Sequence, residues 1–512
     1  MGDRLHGVMV GFLREKFFHT DRVGILLRCT ASNGDLNEFK PHMTKRLASM
    51  PTIRIFRHYI STAYLGLLFL EFVFYLSAIF IGGQLRFLQL DDWVTNSEWW
   101  PTAWFFAFTV TICNISAGLY RRSSQRSISD LLLRLVTSFL LATLVMSLFF
   151  YALPDLFVGR GIFGFALLSS LLMTVAVRVF FLRGMDNQQL NRRVLVLGSG
   201  NNAQRILEFA ERLPYGNLTF VGFVPMGSDP CIVPADRTLI MEQPINQFAD
   251  EKDIDEIVVA LDDRRQGFPV DEILDCKMSG FDVIDLLTFF EREAGIVKID
   301  CLHPSWLVFS DGFRMKSGIL FKRMFDIAAS LFLLSVAWPV MLITALAILA
   351  ECRGRHPILY RQTRVGADWR TFEVIKFRSM RPDAELHGAR MAVANDDRVT
   401  KVGRFIRKTR IDELPQLWNV LKGDMSFVGP RPERPEFVDK FAETIPYYVE
   451  RLRVKPGITG WAQVCYPYAE NEEDTLEKLQ YDLYYVKNYS LLLDFLIMLR
   501  TVEVVLWGQG AR

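Results

Sequence analysis

Four apolar stretches, at about 59–83, 102–119, 131–153 and 161–182, come early in the chain, and each is close to the length that crosses ~30 Å of hydrocarbon. The segments around them alternate in charge. Lys45, Arg46, Arg54 and Arg57 precede the first, Arg121, Arg122 and Arg126 separate the second from the third, and Arg178, Arg183, Arg192 and Arg193 close or follow the fourth. The other two loops hold Arg86 with Asp91, Asp92 and Glu98, and Arg160 with Asp155. Because basic loops stay on the cytoplasmic side, the pattern predicts an α-helical membrane bundle over residues 51–185 with both ends in the cytoplasm. Residues 1–50 carry no signal-peptide pattern, since their first apolar stretch is broken by Arg14, Glu15 and Lys16; they read as a peripheral segment.

From Arg192 the period changes. Val194-Leu195-Val196-Leu197 reads as a strand, followed by the turn Gly198-Ser199-Gly200-Asn201-Asn202-Ala203 and a helix. Gly198, Gly200 and Ala203 give this turn the G-x-G-x-x-A form of a nucleotide site. Apolar runs at 218–224, 256–261 and 282–287 alternate with helical stretches, which predicts a Rossmann-like α/β domain over 190–310. A dinucleotide site wants an acid closing the second strand, whereas this strand runs out into Val224-Pro225-Met226. No Tyr has a Lys four positions later, so the usual base of short-chain sugar-nucleotide dehydratases is missing as well. A structural or regulatory role therefore leads for this domain.

A fifth apolar run, Ile327–Ala350, contains no charged residue, yet Lys322 and Arg323 precede it and Arg353 and Arg355 follow it. Pro339 stands at its centre, where it removes a backbone hydrogen bond and bends a helix. A re-entrant helix over 322–351 that turns at Trp338-Pro339 and leaves by the face it entered satisfies both observations. It keeps everything downstream in the cytoplasm.

That downstream part holds the candidate chemistry. In the segment Arg407–Asp424, Leu414, Leu417, Trp418 and Leu421 fall at helical spacing, Pro415 suits a first turn and Gly423 a stop. Asp412 and Glu413 then lie at the start of a short amphipathic helix behind Arg407, Lys408 and Arg410. Cations and a helix N-terminus would hold phosphate oxygens there while a carboxylate attacks phosphorus or binds a metal. Lys376, Arg378, Arg431 and Lys455 lie on other loops and complete a phosphate-binding set with Arg407 and Arg410. Leu491–Arg500 and Val502–Trp507 read as an interfacial amphipathic helix.

Composition narrows the classes. Of 512 residues, 50% are hydrophobic and 41 are Phe, more apolar than a soluble chain needs. The net charge of +2 gives no general attraction to nucleic acid. Seven scattered cysteines, none in a C-x-x-C pair, give neither a disulfide framework nor a zinc site.

The motifs Lys376-Phe377-Arg378-Ser379-Met380, Val402–Lys408, Arg410–Asp424, Met425–Glu433 and Val454–Val464 stand in one order over the last part of the chain. Together they resemble the bacterial sugar transferases of the monotopic phosphoglycosyl transferase superfamily, from about Gly318 to the C-terminus. The resemblance implies a mostly α catalytic domain over 318–512 with a re-entrant helix. The four spans and the α/β domain before it resemble the large members of that family. It also implies transfer of a sugar-1-phosphate from a UDP-sugar to undecaprenyl phosphate, with Asp412 as nucleophile and UMP as leaving group. Mg²⁺ would neutralise the diphosphate, with Asp412 or Glu413 as its protein contact. The implied setting is the bacterial inner membrane, with the catalytic domain facing the cytoplasm and initiating exopolysaccharide or related glycan assembly. Since every motif lies after Gly318, a chain beginning near residue 315 is expected to keep activity. A membrane-bound NAD-dependent sugar-nucleotide enzyme and a non-catalytic sensor or scaffold are the alternatives. The sugar transferred and the presence of a homodimer stay open.

Overall fold

The computed structural model describes residues 52–55, 58–87, 99–120, 128–185, 191–212, 218–227, 229–263, 268–313, 318–381, 398–466 and 471–507. The peripheral segment 1–50 and the loop charges at Lys45, Arg46, Arg57, Asp91, Asp92, Glu98, Arg121, Arg122 and Arg126 lie outside these residues, as does the side chain of Arg183.

A hairpin of β1 (Thr52–Ile55) and β2 (His58–Ser61) leads into α1 (Thr62–Phe87), α2 (Trp100–Ser116), α3 (Ile128–Ala152) and α4 (Arg160–Met185). Each helix covers one of the four apolar stretches. Tyr75 and Ile79 of α1, Phe106 and Val110 of α2, Leu135 and Met146 of α3, and Ala166 of α4 form their shared core. Phe69, Phe108, Leu140, Leu144 and Phe180 point outward, the arrangement of a bundle surrounded by lipid rather than water. Helices α1, α3 and α4 are long and apolar enough to cross a membrane, while α2 has 17 residues. Arg178 is not the loop charge its position suggests. It is buried in the bundle on Glu71, with Nε 2.8 Å from Oε1, and its Nη1 donates to the Leu119 carbonyl. An ion pair among spans is retained because each charge would otherwise face hydrocarbon alone.

The α/β domain follows in chain order as β3 (Arg192–Leu197), α5 (Asn201–Arg212), β4 (Leu218–Val224), α6 (Ile245–Glu251), β5 (Glu256–Val259), α7 (Val270–Met278), β6 (Asp282–Asp285), α8 (Leu286–Glu293) and α9 (Pro304–Phe309). Its four strands are all parallel in the order β4-β3-β5-β6. The run Val194–Leu197 is wholly buried, as a strand covered on both faces requires.

Helix α10 (Ile319–Glu351) then runs unbroken through Pro339. After it come a hairpin of β7 (Leu359–Val365) and β8 (Thr371–Phe377), α11 (Lys401–Lys408), a 3₁₀ turn at Ile411–Glu413 and α12 (Gln416–Lys422). The rest comprises β9 (Ser426–Val428), α13 (Pro435–Thr444), a 3₁₀ turn at Tyr448–Arg453, β10 (Gly457–Thr459), α14 (Trp461–Cys465), α15 (Glu472–Lys487) and α16 (Leu491–Leu506). Strands β9 and β10 pair in parallel.

Two packing facts position the site. First, the α/β domain and the last third of the chain share one hydrophobic core, in which Leu286, Phe289, Phe290, Ile296 and Val297 join Trp461, Leu479, Leu483 and Tyr484. Trp461 Nε1 donates to the Gly295 carbonyl at 2.8 Å, and Val297 N donates to the Gln480 carbonyl at 3.1 Å. His58, just before α1, bonds the Tyr484 hydroxyl through Nδ1 at 2.8 Å. Second, both ends of α10 rest on that same last third. Near one end Arg323 donates to the carbonyls of Val420 and Leu421, and near the other Ile348 packs with Phe377 and Ile406. Between them Leu331, Phe332, Val336, Trp338, Leu342, Ile343 and Leu346 are exposed.

Helix α16 buries one face against protein and leaves Leu491, Phe495, Val502, Val505 and Leu506 exposed. Leu493, Asp494, Ile497, Leu499 and Glu503 are buried against protein, so its inner face is occupied. The alternation that resembles a membrane-surface helix serves a docked one equally well.

Candidate active site

Arg410 takes a left-handed conformation with φ of 59°, and the chain then tightens into the 3₁₀ turn that carries Asp412 and Glu413. Both acids are buried. The helix begins only at Gln416, and its covered face is Gln416, Leu417, Asn419 and Val420, whereas Trp418 is 62% exposed. This corrects the expected amphipathic face and moves the acids ahead of the helix. Side-chain cations supply a positive field around Glu413. Gly423 does end the helix, in a left-handed conformation with φ of 101°.

Glu413 is where those cations converge. Its Oε1 accepts Lys376 Nζ at 3.1 Å and Arg431 Nη2 at 2.8 Å, and Arg410 Nη1 lies 3.7 Å from Oε2. Burial alone would raise its pKa, but the charges of Arg431, Lys376 and Arg410 hold it well below the usual carboxylate range. Asp412 is the opposite case. Burial, with the neighbouring Glu413 charge, pushes it up to about 6, and its Oδ1 is buried with no hydrogen-bond partner among the described residues. Two adjacent carboxylates are thus driven apart, one a permanent anion locked in ion pairs and one left available.

Residues that bear on neither acid hold this geometry. Asn419 donates to the Glu373 carbonyl at 2.7 Å and accepts from Ile375 N at 3.1 Å, which fastens α12 to β8, the strand carrying Lys376. Arg451, paired to Asp482 at 2.8 Å, donates to the Arg431 carbonyl at 2.9 Å and fixes the loop that presents Arg431. A cleft opens beside the acids, lined by Arg364, Val374, Lys376, Gln416, Arg431, Pro432, Gly457 and Ile458. Its three cations suit a diphosphate.

Of the six cations proposed for phosphate, Lys376, Arg410 and Arg431 are brought together on Glu413. Arg378 donates through Nε to the Pro357 carbonyl at 2.9 Å, and Arg407 is half-buried in the last turn of α11. Lys455 donates to the Gly423 carbonyl at 2.8 Å, at the far end of α12 beside Arg323. Sequence reasoning missed Arg364. Its signal was the alternation of β7, in which Tyr360, Gln362 and Arg364 share the covered face while Arg361 and Thr363 are exposed.

As for a divalent cation, no cluster of three acid, His or Cys side chains occurs among the described residues. Glu413 gives its oxygens to cations, so Asp412 is the member of the pair that fits such an ion. One carboxylate oxygen plus substrate phosphates is a usual donor set for Mg²⁺.

The nucleotide-type turn of the α/β domain is filled by the chain itself. Asn201 N and Asn202 N at the start of α5 donate to the two Asp262 carboxylate oxygens at 2.8 Å each. Gly198, with φ of 128°, and Gly200 allow the close approach, since a Cβ on Gly200 would lie 2.4 Å from Asp262 Oδ2. Ala203 is buried beneath in the domain core. A carboxylate stands where a pyrophosphate would bind.

Comparison with known proteins gives the family. Residues 317–508 match the bacterial sugar transferase family, and residues 115–268 match a family described as CoA-binding domain. A UDP-glucose:undecaprenyl-phosphate glucose-1-phosphate transferase from Xanthomonas campestris pv. campestris is 30% identical over 383 residues, 69% of this chain and 75% of that protein. The chain belongs to the bacterial sugar transferase family. A UDP-N-acetylgalactosamine-undecaprenyl-phosphate N-acetylgalactosaminephosphotransferase from Aeromonas hydrophila is 47% identical over 239 residues, which are 46% of this chain and only 55% of that relative. A shorter relative from Caulobacter vibrioides, a UDP-glucose:undecaprenyl-phosphate glucose-1-phosphate transferase, is 42% identical over 192 residues, 37% of this sugar transferase and 71% of its own length.

Proposed function

We propose that this sugar transferase moves a sugar-1-phosphate from a UDP-sugar to undecaprenyl phosphate at the cytoplasmic face of the bacterial inner membrane, initiating a polysaccharide or related glycan. The observation that carries the proposal is the divided carboxylate pair, in which Glu413 is saturated by cations and Asp412 keeps a buried oxygen without a partner. In the first step that Asp412 oxygen attacks the sugar-bearing phosphorus. The bond from this phosphorus to the bridging oxygen breaks, and UMP leaves with the electron pair. A phosphosugar remains on Asp412 as a mixed anhydride. In the second step a phosphate oxygen of the lipid attacks the same phosphorus, Asp412 is released as carboxylate, and the sugar remains on a polyprenyl diphosphate. Lys376, Arg431 and Arg364 bind the donor's phosphates in the cleft. Glu413 holds Lys376 and Arg431 in place and keeps that cluster from repelling itself. A Mg²⁺ ion held by the diphosphate, with the non-attacking oxygen of Asp412 as its protein contact, would further screen the charge of the substrate.

Packing supports this placement at a bilayer. The segment before α1, the α/β domain and the catalytic residues pack together, which favours one side of the membrane for all of them. Four spans, with the 17-residue α2 counted as one, and a re-entrant α10 turning about Trp338-Pro339 would meet that condition. Exposed Phe405 and Trp418 on α11 and α12 give the site apolar anchors at the lipid surface. The test is incubation of the purified protein with a panel of UDP-sugars and undecaprenyl phosphate while UMP and the Asp412 adduct are followed. UMP release that needs Asp412 supports the reading, and turnover without an adduct overturns its mechanism.

A further inference from the structure

Helix α16 makes a buried charge contact with each of two parts of the protein that the proposed topology embeds in the bilayer. Towards its C-terminus, Glu503 is 2% exposed, and its Oε1 accepts Arg134 Nη1 of α3 at 3.0 Å. Arg134 is itself a three-way tie, donating from Nη1 to the Ala117 carbonyl at the end of α2 and from Nε to Asp130 at 3.0 Å. Its guanidinium also lies 4.9 Å from the centre of the Trp507 ring. The backbone is shaped to admit this joint. Gly118 has φ of 78°, and a Cβ there would stand 2.3 Å from Glu503 Oε1 and 2.7 Å from Arg134 Nη1.

Nine residues earlier on the same helix, about 13 Å along its axis, Asp494 is fully buried. Its Oδ2 lies 2.8 Å from Lys322 Nζ, at the start of α10 where that helix leaves for the lipid. Tyr485 donates to the other oxygen at 2.8 Å, and Lys322 also reaches Asp326 at 2.9 Å. Between the two carboxylates, Thr501 Oγ1 meets Thr459 Oγ1 at 2.6 Å. Thr459 ends β10, whose Gly457 lines the cleft, and its carbonyl accepts from Gly429 N, two residues before Arg431.

We propose that α16 is a strut that sets the position of the cleft relative to the bilayer, and that Arg134 and Glu503 are positioning residues for the lipid acceptor. The proposal rests on the two-step reading above. A soluble UDP-sugar needs only the lining of the cleft, to which α16 contributes no residue. The acceptor differs, because its phosphate is held at headgroup depth by its tail, so the cleft must meet it at a fixed height. Only the second half-reaction should sense the joint.

The test separates the halves. In Glu503→Gln, donor-only release of UMP and formation of the Asp412 adduct should stay at the wild-type rate, while KM for undecaprenyl phosphate in phospholipid vesicles rises about tenfold. With a short-chain, water-soluble polyprenyl phosphate in detergent, the variant should equal the wild type. Gly118→Ala, which leaves both charges in place and presses on them, should reproduce the same split. Equal loss in both half-reactions by Gly118→Ala, or wild-type kinetics with the vesicle acceptor, overturns the strut. If the wild-type protein itself releases no UMP, it is the two-step reading that fails.

Discussion

Arg431 grips Glu413 at 2.8 Å, and by doing so it leaves the preceding residue, Asp412, as the free member of a buried acid pair. The two acids should therefore respond differently to neutralisation. Asp412→Asn should abolish UMP release and adduct formation with no loss of thermal stability, because it removes a buried carboxylate that lacks a hydrogen-bond partner on Oδ1. Glu413→Gln should lose most activity and also cost about 3 kcal/mol, since it strands half-buried cations without their counter-ion. Thermal unfolding and UMP release measured on both variants check the contrast, and equal destabilisation by the two would count against it.

A pH dependence follows from the same pair. In the proposed mechanism Asp412 attacks as the carboxylate, and its folded pKa is raised to about 6 by burial first and Glu413 second. The rate of the donor half-reaction should rise through that region and level off above it. The stability effect has the opposite sense, because a raised carboxylate pKa means that the folded protein holds the proton more tightly than the unfolded chain. Stability from Asp412 is thus present at low pH and lost as pH rises from the unfolded value of about 3.9 through the folded one. Glu413, held low, stays ionised throughout this window. Lys376 lowers the Asp412 pKa, so Lys376→Met should move the rising limb to higher pH in single-turnover measurements. An unmoved limb would assign it to another group.

Cutting the chain near residue 315 should not preserve activity, contrary to the expectation from motif positions alone. The cut would uncover Trp461, Leu479, Leu483 and Tyr484, whose partners lie among residues 286–302. Burying such side chains is worth about 2 kcal/mol each, so the shortened chain should aggregate or lose UMP release. One starting at Arg192 should keep more of both. An active, monodisperse truncation would refute this.

That case marks what could be read from the sequence. Spans, strands and the acid pair depend on neighbours within a few residues, so their periods and turns were legible. The pairing of Glu413 with Lys376 and Arg431, Trp461 with Gly295, and Asp262 with the turn at Asn201 joins residues from 18 to 166 positions apart. No local period reports such contacts. Trp418 shows the reverse error, since helical spacing marked it as core while the side that is apolar for lipid looks the same as the side that is apolar for protein.

The closed turn of the α/β domain predicts an absence of nucleotide response. Asp262→Ala would free Asn201 N and Asn202 N and should cost about 1 kcal/mol, the usual value of a lost helix cap. Millimolar NAD or coenzyme A should leave the melting temperature of the wild-type protein unchanged. A clear upward shift by either would mean that Asp262 yields its place to a phosphate.

In the proposed topology, Pro339 is the residue that sets which side of the membrane Asp412 occupies. A straight helix of the length of Ile319–Glu351 measures about 48 Å, enough to cross the bilayer and place its two flanks in different compartments. Yet Arg323 rests on α12 and Ile348 on β8 and α11, all within the last third of the chain, and residues before and after the helix share one core. A bend at the centre reconciles these contacts, and Pro339 favours it because it offers no N–H and its ring crowds the preceding turn. Cysteines placed at Met278 and Thr363, both exposed, should be labelled from one side only in a background without native cysteines. Pro339→Leu would restore the backbone bond and remove a cost of ~3 kcal/mol for the straight form. Straightening must then break either the Arg323 or the Ile348 contact. The variant should lose UMP release in proportion to the fraction of molecules in which Thr363 is labelled from the far side. Opposite-side labelling of Met278 and Thr363 in the parent protein would instead show that α10 spans, and would remove the access to cytoplasmic UDP-sugar on which the proposed reaction depends.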